Sequence, residues 1–551
     1  AEYALSAGIG GSSDMAEFES IFSLQRLDWS KQAAGQDGNR ELRKMAIGNN
    51  VLVVATANCT LLRRNLDSNG LEEEIDISRG KQDSIEHVFI DPTGNHVIVT
   101  LTNGDNFYLH SRSTRPKKFS SKLQGNIESV AFDRLNGTES TTRSFLAGTS
   151  TGCIYELGFD SGGKEKTCTL LHQLDPEQPL AITSLHFDTI RGASPQSASR
   201  TFVMLATTKP TRLYHFFGGA SFAQVFAKST AGSAAYSEMP GDIPRAELLC
   251  FNYNSWNRAQ NFALMSMEGI YHGSINLSDD KTSEEGTITL DAELMPYGDY
   301  NDHEPPQAIA ASAFHYVTLV YDRLVCISRL NGTLVQEEMI RIADGNAIGI
   351  VKDVTKGTIW LYTDSYVFKI SVLNEDKHIW SIYLEKALAG EDSLFEVAYR
   401  HCKKQDEKAR VMNARAEFAL TSGNVEQAAA YFARSGAAFE NVVLRLLSTG
   451  STAAGSSSKH SPKAFSVTVG PELSALRIYL MEEIELLPAG SKSQHTMICT
   501  WLCEIFLHEI TMAVLTRDGN AALPPGSPAR SGSNAEILIA QFKVFLKTAS
   551  L

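Results

Sequence analysis

The sequence lacks two features that would place a protein in or across a membrane. None of its 551 residues belongs to an unbroken apolar run of about 20 residues, so no membrane-spanning helix is expected. Residues 1–18 are small, polar and acidic, whereas a secretory signal begins with basic residues and continues with an apolar stretch. We therefore expect residues 1–18 to form a flexible leader and the protein to be cytoplasmic.

Closely spaced metal ligands are also missing from the sequence. The eight cysteines are scattered, and no Cys-x-x-Cys or His-Glu-x-x-His spacing occurs that would gather ligands around zinc. Cys499 and Cys503 lie four residues apart on a predicted apolar helix, where core packing is the expected role and metal binding is the alternative. The sequence predicts no metal site and no cofactor.

Positive charge is in deficit, because 50 Lys and Arg face 63 Asp and Glu, for a net charge of −13. Such a chain repels nucleic acid and anionic lipid unless basic residues cluster locally. One cluster occurs in a predicted loop between strands, where an anionic phosphoinositide headgroup could gain about 1 kcal/mol per basic residue; a solvated loop is the alternative. This basic patch consists of Arg112, Arg115, Lys117, Lys118 and Lys122.

Short β-strands, by contrast, are abundant. From residue 45 to residue 370 the apolar pattern has a period of two, and the runs end in Gly, Asn, Asp or Pro, as in successive antiparallel hairpins. A strand–turn–strand unit recurs, most clearly around the turns Asn103-Gly104, Thr151-Gly152 and Asp364-Ser365. The units begin near Met45, His87, Ile127, Ile182, Glu247, Ile309 and Ile348.

Seven units indicate a seven-bladed, WD40-like β-propeller over residues 19–377. The shortest spacing, about 40 residues, suits a four-stranded blade, and longer ones carry insertions such as 192–200 and 229–245. Residues 21–27 precede the first unit without a partner there, so we expect them to add a strand to the last blade and close the ring. A pair of β-sandwiches is the alternative.

Beyond residue 377 the period changes to 3.6, which predicts the start of an α-solenoid of helix-pair repeats over residues 378–551. The low-complexity segments 448–461 and 518–533 are predicted loops. An aromatic and apolar stripe is expected to pack between neighbouring helices, with a peptide groove as the alternative. The stripe consists of Phe418, Leu420, Tyr431, Phe432 and Phe439. The predicted helices cover 394–402, 409–421, 425–434, 438–447, 471–487, 493–515 and 535–547.

One string matches a catalytic motif. Gly148-Thr-Ser-Thr-Gly152 fits Gly-x-Ser-x-Gly, in which a strained strand–turn–helix lifts the serine towards a histidine. The residues that follow form a predicted strand, so we expect Ser150 to occupy a hairpin turn and predict no catalytic residue. A serine hydrolase remains the enzymatic alternative. The glycine-rich run at Gly8 lacks the lysine of a phosphate-binding loop and is assigned to the leader.

Several motifs carry a family resemblance. The helical part contains Leu394-Phe-Glu-Val-Ala-Tyr-Arg-His-Cys, Arg415-Ala-Glu-Phe-Ala-Leu and Tyr431-Phe-Ala-Arg-Ser-Gly, preceded by Ile379-Trp-Ser-Ile-Tyr-Leu at the junction. Together with propeller segments beginning at Ser144 and Ile348, their order resembles the family of vacuolar protein sorting-associated protein 18, also called the Pep-three or Deep orange family. The resemblance covers residues 42–515.

This resemblance implies a class C core subunit of the endolysosomal tethering complexes HOPS and CORVET, a non-catalytic scaffold peripheral on late endosomes and the vacuole or lysosome. Its implied partners are the other class C subunits and, indirectly, Rab GTPases and SNAREs. A propeller that binds peptides or phosphorylated motifs in a vesicle coat is the alternative. The family's C-terminal zinc-binding RING domain has no counterpart in these residues, so no zinc or ubiquitin-ligase role is assigned to them.

Overall fold

The computed structural model divides the chain into two compact units, Ala1–Glu375 and Asp376–Leu551, called here the propeller and the helical unit. The predicted leader and most of both predicted loops lie outside the described residues. The ends of those loops differ from the prediction, because residues 448, 518–519 and 532–533 are helical. The structure describes residues 20–27, 41–68, 72–78, 80, 83–119, 122–190, 199–227, 235–253, 258–275, 288–298, 305–448, 471–488, 490–519 and 532–549.

The propeller contains seven four-stranded antiparallel sheets, blades 1 to 7, which confirms the predicted fold. In blades 1 to 6 each strand pairs with the next along the chain. Blades 1 to 3 contain β2 Leu42–Gly48, β3 Val51–Thr56, β4 Thr60–Asn65, β5 Glu73–Asp76, β6 Ile85–Ile90, β7 His96–Leu101, β8 Asn106–His110, β9 Lys117–Phe119, β10 Ile127–Ala131, β11 Phe145–Thr149, β12 Cys153–Phe159 and β13 Glu165–Gln173. Blades 4 to 6 contain β14 Ile182–Ile190, β15 Arg200–Thr208, β16 Thr211–Gly218, β17 Tyr236–Glu238, β18 Leu248–Tyr253, β19 Ala259–Met265, β20 Gly269–Ile275, β21 Thr289–Pro296, β22 Ala308–Ala311, β23 His315–Val320, β24 Arg323–Ser328 and β25 Leu334–Met339.

Blade 7 joins the two ends of the propeller sequence. Its strands are β26 Ala347–Lys352, β27 Ile359–Thr363 and β28 Val367–Val372, and β1 Phe22–Arg26 pairs antiparallel with β28. The Gln336 side chain of blade 6 accepts hydrogen bonds from the backbone at the start of β1, 2.9 Å from the amide nitrogen of Ile21. The predicted closure by residues 21–27 is therefore confirmed.

The first strands of the blades share a local irregularity. Every predicted unit start lies within a first strand or one residue before it. Five of these strands carry a β-bulge at the same place, where one residue has no partner opposite. The repeated bulge shows that the recurring sequence unit is also a recurring structural unit. The bulged residues are Arg43, Glu86, Glu128, Thr183 and Ile348.

The core of the propeller lies between the blades. Seven clusters of buried apolar side chains occupy the seven interfaces between neighbouring blades. The cluster between blades 7 and 1 packs Trp360 and Tyr362 against Leu42, Leu52 and Val54. Strands with both faces against a neighbour, such as β7 and β11, are buried at every residue and therefore lack alternation.

Part of the predicted insertion 229–245 is ordered structure. Within it, β17 forms the outer strand of blade 4. Just before it, the short helix α1 Phe222–Phe226 begins at Ser221, whose hydroxyl accepts from the backbone N–H of Gln224. Phe226 stacks on His172 of β13 at 5.6 Å, so the helix covers part of an outer strand.

The helical unit contains amphipathic helices whose apolar faces form two clusters, a smaller one from α2 to α4 and a larger one from α4 to α9. Glu407 accepts from the backbone N–H groups of Lys403 and Lys404, which explains why one helix begins four residues before the predicted residue 409. The helices are α2 Ile379–Leu388, α3 Leu394–His401, α4 Gln405–Thr421, α5 Val425–Ser435, α6 Phe439–Ser448, α7 Pro471–Leu486, α8 Lys492–Gly519 and α9 Gly532–Ala549.

One segment of α8, Lys492–Leu515, is long and apolar enough to cross a membrane by length and composition, with a mean hydropathy of 1.6. Its Leu502 and Phe506 are nevertheless fully buried among the neighbouring helices. Glu509, on the same helix, lies 2.7 Å from the guanidinium of Arg477 on α7. Of this apolar segment 28% is buried within the structure, and the half-buried Arg477–Glu509 pair joins it to α7.

Candidate functional site

A polar trough crosses one edge of blades 1 to 3. On this edge, the turn between the first and second strands of a blade lies beside the turn between third and fourth strands. It consists of two grooves of about 620 and 530 Å³, which share Arg112 and Glu139. Turn residues such as Asn49, Asp67 and Thr93 line the first groove. Asn, Asp, Glu, Ser, Thr and Arg side chains make up most of the lining, so the trough offers many hydrogen-bonding groups to a polar ligand.

A buried arginine shapes the trough. Arg63 of β4 is 5% exposed and donates through Nη1 to the carbonyl of His110 at 2.9 Å and through Nη2 to that of Ser113 at 3.2 Å. Its Nε donates to Glu73 at 2.7 Å. A buried guanidinium requires such partners, because an unpaired charge there would be strongly destabilising. Arg63 therefore fixes the loop that carries Arg112.

Buried aspartates fix the neighbouring turns. Asp353 of blade 7 accepts from the backbone N–H groups of Asn49 and Asn50 in blade 1, at 3.2 and 2.8 Å. Asp91 accepts from the backbone of Asn95 and His96 in its own turn, at 2.9 and 2.8 Å. Hydrogen bonds to a charged acceptor contribute about 1.5–3 kcal/mol each, so these turns are rigid.

Two histidines connect blade 2 to blade 3 beneath the trough. His96 lies 2.6 Å from the hydroxyl of Tyr108 and 2.7 Å from the carbonyl of Thr138, and His110 Nε2 lies 2.9 Å from the carbonyl of Glu139. Burial lowers the pKa of His96 below its usual value. A neutral ring can donate to the Thr138 carbonyl without placing a charge in the interior.

The predicted basic patch lies on the β8–β9 connection, on β9 and just beyond it. Arg112 pairs with Glu139, Lys118 lies 2.6 Å from Asp105, and Lys117 donates to the carbonyl of Gly162. The five side chains are therefore not a uniform cationic surface, since Arg112 and Lys118 face carboxylates. Contact with an anionic surface stays a prediction.

Ser150 occupies the turn between β11 and β12, as predicted, and no helix follows it. Its hydroxyl accepts from the backbone N–H of Asn126 at 3.0 Å.

A buried His186–Asp188 pair, with 3.4 Å between Nε2 and Oδ2, has the composition of a catalytic dyad. Burial alone would lower the pKa of His186, but Cys250 and Asp188 raise it to about 10, and a protonated imidazole is no general base at neutral pH.

The remaining sequence candidates have structural roles in the helical unit. Phe432 is buried in its core, and Phe439 lies against Tyr479 and Trp501, so the predicted stripe packs between helices. Cys499 and Cys503 border the same core, as predicted. Within the residues that the structure describes, no cluster of three or more His, Cys, Asp or Glu could hold a metal ion.

Sequence reasoning missed the trough and the aspartates that fix its turns. A signal was present, because an Asp that follows the first strand of a blade precedes a Gly by three or four residues at Asp91, Asp133 and Asp353. That spacing is typical of a turn in which the Asp side chain accepts backbone hydrogen bonds. The carbonyl partners of Arg63, those of His110 and Ser113, lie in another blade and leave no local pattern.

A closed β-propeller followed by helices with alternating buried faces defines a propeller–solenoid protein. Two family models match the two parts in that order: the Pep3/Vps18/deep orange beta-propeller domain over residues 20–372 and the first half of the VPS18 alpha-solenoid domain over residues 382–549. The chain belongs to the Pep3/Vps18/deep orange family.

Named relatives extend across eukaryotes. Vacuolar sorting protein 18 of Arabidopsis thaliana is 29% identical over 492 residues, which cover 86% of this chain and 46% of the relative. The vacuolar protein sorting-associated protein 18 homolog of Danio rerio is 24% identical, covering 90% and 48%. Vacuolar membrane protein pep3 of Schizosaccharomyces pombe is 23% identical, covering 90% and 50%. The chain thus spans about half the length of the curated relatives that it matches.

Proposed function

We propose that this chain is a non-catalytic scaffold in vacuolar protein sorting, within the class C core of the HOPS and CORVET tethering complexes. The observation that carries the proposal is the match of both units, in order, to domains of one family whose named members are vacuolar sorting proteins. In this role the chain is peripheral on late endosomes and the vacuole or lysosome, and it contacts other class C subunits directly and Rab GTPases and SNAREs indirectly.

The physical basis of the proposed role is surface rather than chemistry. A ring of blades that pack at seven interfaces offers a rigid binding surface, and a row of helices offers an extended one. Both surfaces suit binding through buried interface area. The polar groups described above are engaged in holding turns and blades together. This arrangement supports a scaffold over a serine hydrolase, which would need a nucleophile beside a neutral base.

The test is co-purification. Residues 1–551 are expressed with the other class C subunits and passed over a sizing column, beside a full-length curated relative expressed with its own class C subunits. We expect residues 1–551 to elute with at least one of those subunits. Elution alone, with circular dichroism showing a folded chain and the control relative still in complex, would contradict a core-scaffold role for these residues.

A further inference from the structure

We propose that the trough across blades 1 to 3 binds an extended segment of a partner protein, with an acidic side chain of the segment near Arg112 and a basic one near Asp67. The trough is already shaped, because Arg63 and Asp353 hold its walls through hydrogen bonds to backbone groups. A ligand therefore meets fixed carbonyl and hydroxyl groups, and little ordering of the walls opposes binding.

Charge is distributed unequally along the trough. At the blade 1 end, Asp67 accepts a hydrogen bond from the Asn50 amide at 2.7 Å and faces no cation within the described ranges. Glu73, nearby, is already neutralised by Arg63. This end therefore carries one uncompensated negative charge and would attract a Lys or Arg side chain.

The blade 3 end has the opposite sign. Lys117, on β9 of blade 2, donates to the carbonyl of Gly162, which lines the second groove, rather than to a carboxylate. Arg112 and Glu139 neutralise each other between the grooves. This end carries an excess of positive charge, although the whole chain has a net charge of −13.

The Arg112–Glu139 pair separates the two grooves and can be exchanged. Their side chains are 75% and 49% exposed, and an exposed pair of this kind contributes about 0–1 kcal/mol. A carboxylate or phosphate of a bound segment can therefore replace Glu139 at Arg112 at little cost. Once Arg112 turns to the ligand, the grooves of about 620 and 530 Å³ become one continuous site.

The opposite polarity of the two ends favours a peptide over a membrane. A bilayer of anionic lipid would be drawn to Lys117 and Arg115 but repelled by Asp67. A single extended segment that carries both signs satisfies both ends at once. The order of the charges would also fix the direction in which the segment lies, which a uniformly charged surface cannot do.

The test selects ligands from a random peptide library. Phage-displayed random dodecapeptides are panned on purified residues 1–551, and the selected peptides are synthesised with a fluorescent label and measured by anisotropy. We expect peptides with both an acidic and a basic residue. Arg112→Glu should weaken their binding about tenfold, Asp67→Lys should do the same, and Arg43→Glu, which breaks the exposed Arg43–Glu41 pair outside the trough, should leave it unchanged.

A peptide with an exchanged charge tests whether binding takes place at Arg112. A peptide whose acidic residue is replaced by Lys should bind the Arg112→Glu variant better than it binds the original chain. Binding that is equal on all variants, or a selection without any binder, would overturn the proposal. Flotation with phosphatidylinositol phosphate vesicles that is lost in Arg112→Glu but not weakened by removal of the Asp67 charge would also overturn it, in favour of a lipid site.

Discussion

The propeller and the helical unit bury their apolar side chains in different ways. In the propeller every blade packs against two neighbours, and blade 7 packs against blade 1 through its own apolar cluster. In the helical unit the helices pack in a row, as when α9 lies on α8 through Phe506, Phe542 and Phe545. Damage to one interface should therefore spread around the ring but stay local in the row.

The polar contacts between neighbouring blades also differ from those between neighbouring helices. Blades are joined by bonds to free backbone groups, as in Ser129 to the Ile182 carbonyl at 2.6 Å and Leu42 N–H to the Asp364 carbonyl at 2.8 Å. Helices satisfy their own backbone, so their polar contacts are made by side chains, such as Arg477 with Glu509. Hydrogen bonds to the backbone thus help to fix the positions of the blades, whereas contacts between side chains fix the positions of the helices.

The largest expected effect is loss of ring closure. Phe22 of β1 is 3% exposed and meets the His315 ring edge-on at 5.6 Å, so Phe22→Asp would bury an unpaired charge at the closing strand. We expect a loss of about 4 kcal/mol or more, with unfolding of the whole propeller. The measurement is urea denaturation of the chain followed by circular dichroism.

The matched control lies on the same strand. Gln25 is exposed, and Gln25→Ala should change the unfolding midpoint very little. If Phe22→Asp leaves the propeller transition in place, the closing strand is not required for stability. The contrast between a cooperative ring and a local row would then fail.

A smaller effect is expected from the helical core. Phe506 is fully buried against Phe542 and Phe545, so Phe506→Ala should cost about 3–5 kcal/mol. The loss should appear in the unfolding transition of the helical unit and leave that of the propeller unchanged. Leu507→Ala, at the adjacent and 57% exposed residue, is the control and should cost almost nothing. A shift of both transitions by Phe506→Ala would contradict the local behaviour of the row.

The sequence predicted the repeat of the fold better than its site, for a physical reason. Met45 and Ile127 could be recognised as unit starts because each strand–turn–strand pattern lies within a few residues. The closing strand could be recognised because residues 21–27 lacked a nearby partner. The local sequence pattern therefore predicts where the blades lie along the chain.

The trough depends on contacts between residues far apart in the chain. Asp353 binds the backbone of Asn49, 304 residues away, and Arg63 binds carbonyls in the next blade. No local spacing records such pairs. Lys118 and Arg112 showed the same difficulty, because their cationic pattern gave no sign of the carboxylates that face them.

The smallest expected effect is a pH dependence confined to the propeller. His172 of β13 is buried between Phe216 and Phe226, and burial lowers its pKa. Since its folded pKa lies below the unfolded value of about 6.5, the unfolded chain binds a proton first as the pH falls. Stability should therefore fall below that pH by at most about 1.4 kcal/mol per pH unit from this residue.

Two substitutions separate titration from packing at His172. His172→Phe keeps a ring against Phe226 and His172→Gln does not, but neither side chain titrates. Both should flatten the decline of the propeller's thermal midpoint between about pH 7 and pH 5, and only His172→Gln should also lower the midpoint at neutral pH. An undiminished decline in both variants would mean that other groups carry the acid sensitivity of the ring. A decline of the same size in the transition of the helical unit would show that the sensitivity is not specific to the propeller.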